Sequence, residues 1–167
     1  MAADKEERKV YGVYNPAVLT KKILLSMNEV GKNLKQNLEL KLQSMGDGKC
    51  IPEGYIKPGS IKVLTYSSGN VLNSNVEFQT VYDCMICYPV EGQLVECKSK
   101  AITKAGIHAE AIDADGIIPI VIFIARDYHF TNKEFNDVKE GDNLVVSIIG
   151  ISYNLNDEYI TATASLH

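Results

Sequence analysis

Val30, Leu34, Leu38, Leu42 and Met45 recur at helical spacing, with lysines on the opposite side. Ser26-Met27-Asn28-Glu29 precedes them as a capping box, whose hydroxyl and carboxylate satisfy two orphan amides, and Gly46-Asp47-Gly48 supplies a stop. The spacing predicts one amphipathic helix from about Asn28 to Met45. Ahead of it, Val10, Val13, Val18 and Leu19 alternate loosely before Ile23-Leu24-Leu25, and Pro16 interrupts them, which reads as strand or irregular structure. Behind it the apolar period shortens to that of strands. Tyr55-Ile56, Ser60 to Tyr66, Val76 to Met85 and Leu94 to Lys100 alternate in this way. Turn clusters divide them at Pro52-Glu53-Gly54, Lys57-Pro58-Gly59, Ser67-Ser68-Gly69-Asn70 and Asn73-Ser74-Asn75. The first part is a helix packed on a short antiparallel sheet.

Tyr88-Pro89-Val90-Glu91-Gly92 opens a second part that is strand throughout: Leu94 to Ile102, Gly106 to Ile112, Ile117 to Ile124, Asn143 to Ile151 and Glu158 to Ala164. A longer irregular link, Arg126 to Gly141, separates the third and fourth strands. Five short strands can close a barrel without leaving a long bare edge, and a gap in that place is typical of OB barrels. The expected fold class is α+β. A helix-plus-antiparallel-sheet domain covers residues 1–89, and a five-stranded S1-like OB barrel covers residues 90–167.

Composition narrows the class. The chain has 167 residues, 46% hydrophobic and 23% charged, as in a globular protein of one large or two small domains. No apolar run approaches the ~20 residues that span a bilayer. The charged start, Met1 to Lys9, lacks the apolar core of a signal peptide, so a soluble intracellular protein is expected. Cys50, Cys84, Cys87 and Cys97 make no dense disulfide framework and read as reduced thiols. The net charge of −4 is unevenly spread: residues 1–89 carry 11 basic and 9 acidic side chains, residues 90–167 carry 6 and 12. An acidic second half cannot hold nucleic acid through a broad basic field, so any RNA contact there must be local and weak.

Gly92-Gln93-Leu94-Val95-Glu96-Cys97-Lys98 and Ile102-Thr103-Lys104-Ala105-Gly106-Ile107-His108-Ala109-Glu110 resemble the first hairpin of S1 domains. Phe123-Ile124-Ala125-Arg126 resembles their third strand, and Gly141-Asp142 the entry to the fourth. The order of the whole is more specific. A helix, Gly48-x-Cys50 leading to Gly54-Tyr55-Ile56, a strand ending in Tyr88-Pro89-x-x-Gly92, then the barrel: this resembles stalk subunits of multi-subunit DNA-directed RNA polymerases. That family includes the seventh subunit of RNA polymerase II, its archaeal counterpart and versions in large DNA viruses. The resemblance implies a non-catalytic subunit, without cofactor, whose tip domain docks on the large core subunits and braces the clamp. Its barrel would contact nascent single-stranded RNA or initiation factors, and cellular versions pair with a small helical partner. The place would be the nucleus for a cellular protein, the cytoplasm or virion for a viral one. Two aromatic positions of the S1 face are Ala105 and His108 here, and each lost stack removes ~1–3 kcal/mol per base.

The RNA-facing candidates are Lys98, Lys100, Lys104, His108, Phe123 and Arg126, cations for phosphates and rings for bases. The alternative is a core Phe123 with lysines on a solvated strand face. Docking candidates lie on the turn-rich loops, at Cys50, Ile51, Pro52, Glu53, Gly54, Gly69, Asn70 and Asn73, which plain surface turns would also explain. Cys84-Met85-Ile86-Cys87 has no second Cys-x-x-Cys, and strand residues three apart face opposite ways, so small buried hydrophobes are expected there rather than a metal. His108, His129 and His167 are scattered, and neither a nucleophile elbow nor a phosphate loop is present. A stand-alone S1-type RNA-binding factor in translation or RNA turnover remains the rival reading, with a zinc- or thiol-dependent enzyme third.

Overall fold

The computed structural model describes residues 12–113, 115–129 and 132–167. They form two compact units, Tyr14–Tyr88 with Tyr153–Ile160, and Pro89–Ser152 with Thr161–His167. The fold class is α+β, comprising a closed five-stranded OB-like barrel and a separate sheet.

The first unit is built on β6 (Asn75–Cys87), which pairs antiparallel along its full length with β1 (Tyr14–Ser26). Its other edge takes three short strands in turn: β5 (Asn70–Leu72), β4 (Lys62–Tyr66) and β3 (Gly54–Ile56), with β2 (Cys50–Ile51) outside β3. Strand period puts Val76, Phe78, Thr80, Tyr82, Cys84 and Ile86 of β6 on one buried row. Ile23 and Leu25 of β1 join that core, with Leu38 and Leu42 of α1 (Leu34–Gly46). Thr80 is fully buried, and its hydroxyl finds no hydrogen-bond partner.

The helix begins later than the Asn28 start its apolar spacing predicts. The Ser26–Glu29 capping box forms, with Ser26 N–H and Oγ–H donating to Glu29 Oε1 at 3.4 and 2.9 Å, but it closes only a 3-10 turn at Met27–Glu29. Gly31, costly inside a helix, follows that turn, and α1 restarts at Leu34. Pro16 does not interrupt its strand: it lies opposite Met85 on β1, an edge strand where a missing N–H is tolerated.

The barrel runs β10 (Asn143–Ser152), β11 (Ile160–Leu166), β9 (Ile120–Ala125), β8 (Gly106–Ala111), β7 (Leu94–Ile102), and closes between β7 and β10. Val95, Cys97, Ile107, Ala109, Ile122, Ile124, Val146 and Ile148 fill it. Gly106 opens β8 where a Cβ would run into the Ile124 carbonyl. β9 starts at Ile120 rather than Ile117 because Pro119 cannot donate to a ladder and Asp113 Oδ1 already holds the Ile117 amide at 2.9 Å.

The link expected to be irregular from Arg126 to Gly141 carries a 3-10 turn, Arg126–Tyr128, and a short helix α2 (Lys133–Asp137). Phe135 of α2 is buried, and its ring stacks on His129 at 4.8 Å. Buried His129 also ties β9 to β11: its Nδ1 lies 2.7 Å from the Ala125 carbonyl, and Nε2 accepts from Leu166 N–H at 2.9 Å. Ser99 N–H donates to the Asp142 carbonyl at 2.9 Å and so fixes the far end of the link.

Candidate nucleic-acid interface and docking surface

The outward rows of β7, β8 and β9 form one continuous face. Register places Lys98 opposite Glu110, which lies opposite Val121, and places Ala101 opposite His108, which lies opposite Phe123. Phe123 is therefore not barrel core. It is half buried on the outer row between buried Ile122 and Ile124, and its ring lies 5.0 Å from that of exposed His108, tilted by 49°. Lys98 and Lys100 are exposed on the same face of β7. Glu110 interleaves with them, and its Oε2 lies 3.7 Å from Lys100 Nζ. With Glu96 exposed two residues from Lys98, the patch is close to neutral.

Lys104 is exposed on the β7–β8 turn, which Thr103 N–H closes onto the Gly106 carbonyl at 2.8 Å. Arg126 is turned inward on that loop. Its Nε donates to the Lys104 carbonyl and Nη2 to the Thr103 carbonyl, both at 3.1 Å, while Nη1 reaches Asn136 Oδ1 at 3.5 Å. The guanidinium also lies 5.1 Å over the Phe135 ring. Five of the six candidates thus converge on this face and its turn, and Arg126 anchors the turn.

The docking candidates divide into two groups. Cys50 and Gly54 are buried, Ile51 is half buried, and Pro52 and Glu53 are exposed on the β2–β3 turn. The backbone here is already engaged by residues 153–160 of the same unit. Cys50 N–H donates to the Asp157 carbonyl at 2.8 Å, and Asn156 N–H donates to the Cys50 carbonyl at 2.9 Å. Tyr153 Oη donates to the Pro52 carbonyl at 2.8 Å, with its ring edge-on to Tyr88 at 6.4 Å. Gly69, Asn70 and Asn73 are exposed around β5. Gly69 is required there, since a Cβ would lie 2.6 Å from Val76 and 3.0 Å from Phe78. Around these three residues stands a feature the turn chemistry alone did not reveal: Leu64, Tyr66, Val71 and Leu72 are 50, 40, 61 and 42% exposed. Val71-Leu72 abutting a tight Asn73-Ser74 turn was the available signal.

Cys84 and Cys87 lie on β6, opposite Ala17 and Tyr14, and both are buried. Burial pushes their thiols up to about 11 and about 12, aided by Asp83 at Cys84 and by Cys50 at Cys87. Burial likewise raises Cys50 to about 11 and Cys97 to about 12. Such thiols stay protonated at neutral pH and are poor ligands and nucleophiles. Among the described residues no group of three or more His, Cys, Asp or Glu side chains is placed to hold a metal, and no helix is long and apolar enough to cross a membrane.

Over 164 residues the chain is 26% identical to the "Putative DNA-directed RNA polymerase subunit L376" of Acanthamoeba polyphaga mimivirus, covering 92% of this chain and 82% of that one. The chain is a homologue of RNA polymerase subunits. The DNA-directed RNA polymerase II subunit 7 of Arabidopsis thaliana is 27% identical over 120 residues, covering 71% of this chain and 65% of the plant protein. No family model matches the sequence. The match to the viral subunit runs through both compact units, so the likeness is to the sheet unit and the barrel together.

Proposed function

We propose that this chain is a non-catalytic stalk subunit of a DNA-directed RNA polymerase. The observation that carries the reading is the likeness to a polymerase subunit over 92% of the chain, sheet unit and barrel alike. A free S1-type factor needs only the barrel. The sheet unit docks on the large core subunits through the exposed apolar residues of β4 and β5, Leu64, Tyr66, Val71 and Leu72, with Gly69, Asn70 and Asn73 shaping the adjoining turns. Pro52 and Glu53 add a second, smaller contact. The role is to brace the clamp, with a small helical subunit as companion.

The barrel contacts nascent single-stranded RNA or initiation factors. Phe123 and His108 supply a ring surface for a base, Lys98, Lys100 and Lys104 lie near the phosphates, and Arg126 holds the turn that presents Lys104. Interleaved carboxylates keep this contact weak, which a tethered subunit tolerates because assembly raises the local RNA concentration.

A tagged pull-down from the native source, washed at moderate salt and read by mass spectrometry, tests the assignment. The two largest polymerase subunits are expected in near-stoichiometric amount. Ribosomal or RNA-decay proteins without polymerase would overturn it in favour of a free RNA-binding factor.

A further inference from the structure

Beside the His108–Phe123 pair the barrel surface opens into a pocket of about 320 Å³ between β7, β8 and β10. Its walls come from two neighbouring cross-strand rows. One row runs Asn143, Lys98, Glu110, an amide, an ammonium and a carboxylate; the other runs Val145, Glu96, with exposed Ile112 two residues beyond Glu110. Among the described residues, the Asn143 amide, the Lys98 ammonium and the Glu96 carboxylate are engaged by no hydrogen bond or ion pair. Glu110 is held by Lys100.

These walls do not suit a phosphate, because two carboxylates stand beside one free ammonium. They do suit a flat heteroaromatic ring that offers hydrogen-bond donors, with Ile112 and Val145 against its face. Guanine presents two adjacent donors, N1–H and the N2 amino group, beside the acceptor O6. Adenine, cytosine and uracil each offer only one donor group on that edge. A carboxylate accepts both guanine donors at once, and an ammonium or amide donates to O6.

We propose that this pocket takes a guanine base of single-stranded RNA, with the Glu96 carboxylate accepting from N1–H and N2–H and Lys98 or Asn143 donating to O6. This rests on the RNA contact proposed above and gives it a base preference. Glu110 lies two residues from His108 on the same face of β8, about 7 Å along the strand, so one base in the pocket leaves its neighbour at the His108–Phe123 rings. Selectivity then comes from base edges, the only route left to a face without net positive charge.

The test titrates the full chain with four single-stranded RNA decamers, identical except for a central GG, AA, CC or UU pair, by fluorescence anisotropy and amide NMR. The GG decamer is expected to bind roughly 10-fold tighter, the scale of one bidentate base contact. Its amide shifts should centre on Glu96, Lys98 and Asn143. Glu96→Gln, an exposed and conservative change, should erase the preference, and Lys98→Met should weaken it. Equal affinity for the four decamers, a preference that survives Glu96→Gln, or no binding at NMR concentrations overturns the pocket. The polymerase assignment is read separately: recovery of the core subunits together with equal decamer affinities removes the pocket alone, whereas a guanine preference without polymerase removes the stalk reading alone.

Discussion

Arg126 separates two roles that a surface cation can play, because its guanidinium is already spent on the β7–β8 turn. Its Nε and Nη2 donate to the Lys104 and Thr103 carbonyls at 3.1 Å, and its plane covers the Phe135 ring at 5.1 Å. A hydrogen bond from a charged donor nets ~1.5–3 kcal/mol, but these carbonyls rehydrate when released, so ~1 kcal/mol each is appropriate. The ring contact adds ~0.5–1 kcal/mol at an accessible site. Arg126→Lys keeps the charge and loses the fork, and is expected to destabilise the barrel by ~2–3 kcal/mol, several degrees in Tm by calorimetry. RNA affinity gives the complementary readout. Each phosphate neutralised on a single strand contributes about −0.7 to the slope of log K against log salt. Arg126→Met should leave that slope nearly unchanged, because its native partners are carbonyls. An unaltered Tm for Arg126→Lys, with a slope shallower by about 0.7 for Arg126→Met, would refute the anchoring role and return Arg126 to the phosphate backbone.

Thr80→Val removes a fully buried hydroxyl that has no partner while keeping the β-branched shape, so stability should rise by ~1 kcal/mol in urea unfolding; a loss would mean that the hydroxyl is satisfied. Val71→Asp with Leu72→Asp places two charges on the exposed hairpin, and should remove the polymerase subunits from the pull-down while leaving the far-ultraviolet circular dichroism intact. The raised thiols set an alkaline limit. Cys50, Cys84, Cys87 and Cys97 stand at about 11, 11, 12 and 12 in the folded chain, above the ordinary 9.0, so the folded state holds more protons than the unfolded one across that window. Stability from this source is full below pH 9 and falls as the pH rises towards 12, and replacing Cys97 with Ala should flatten that decline in pH-resolved denaturation.

The architecture was legible wherever a local period decided it. Alternation along β6 and the barrel strands, the α1 apolar stripe and the stop at Gly46 all reflect burial on one face, which adjacent residues encode. Reading failed where one residue altered a sound local signal. Gly31 cut the capping box off from the helix that its spacing predicts, and Pro16 proved harmless because β1 is an edge strand. The link after β9 hid a buried Phe135 among polar residues too few to show a helical period. The site was less legible than the fold. That Glu110 would meet Lys100 depends on the register shift between Ser99 and Ala101, and the inward turn of Arg126 depends on carbonyls more than twenty positions away. The engagement of Cys50 and Pro52 by residues 153–160 spans about a hundred positions, beyond any local signal.

Charge and geometry together argue that the proposed RNA contact would be conditional on assembly. Residues 90–167 carry twice as many acidic as basic side chains, so non-specific phosphate attraction contributes little to a free chain. What remains under the proposed reading is one base stacked at Phe123 and His108, and one base edge in the pocket beside them, each of which would be worth ~1–3 kcal/mol. Two such contacts would give ~4 kcal/mol, a Kd of about 1 mM, and would leave the isolated protein almost empty at cellular RNA concentrations. Held beside an emerging transcript, the same face would meet RNA at an effective concentration that is itself on the order of millimolar, and would then be about half occupied. On the proposed reading, an acidic barrel with a neutral, base-reading patch would be silent when free and responsive when docked. A more basic barrel would bind bulk RNA and lose that distinction.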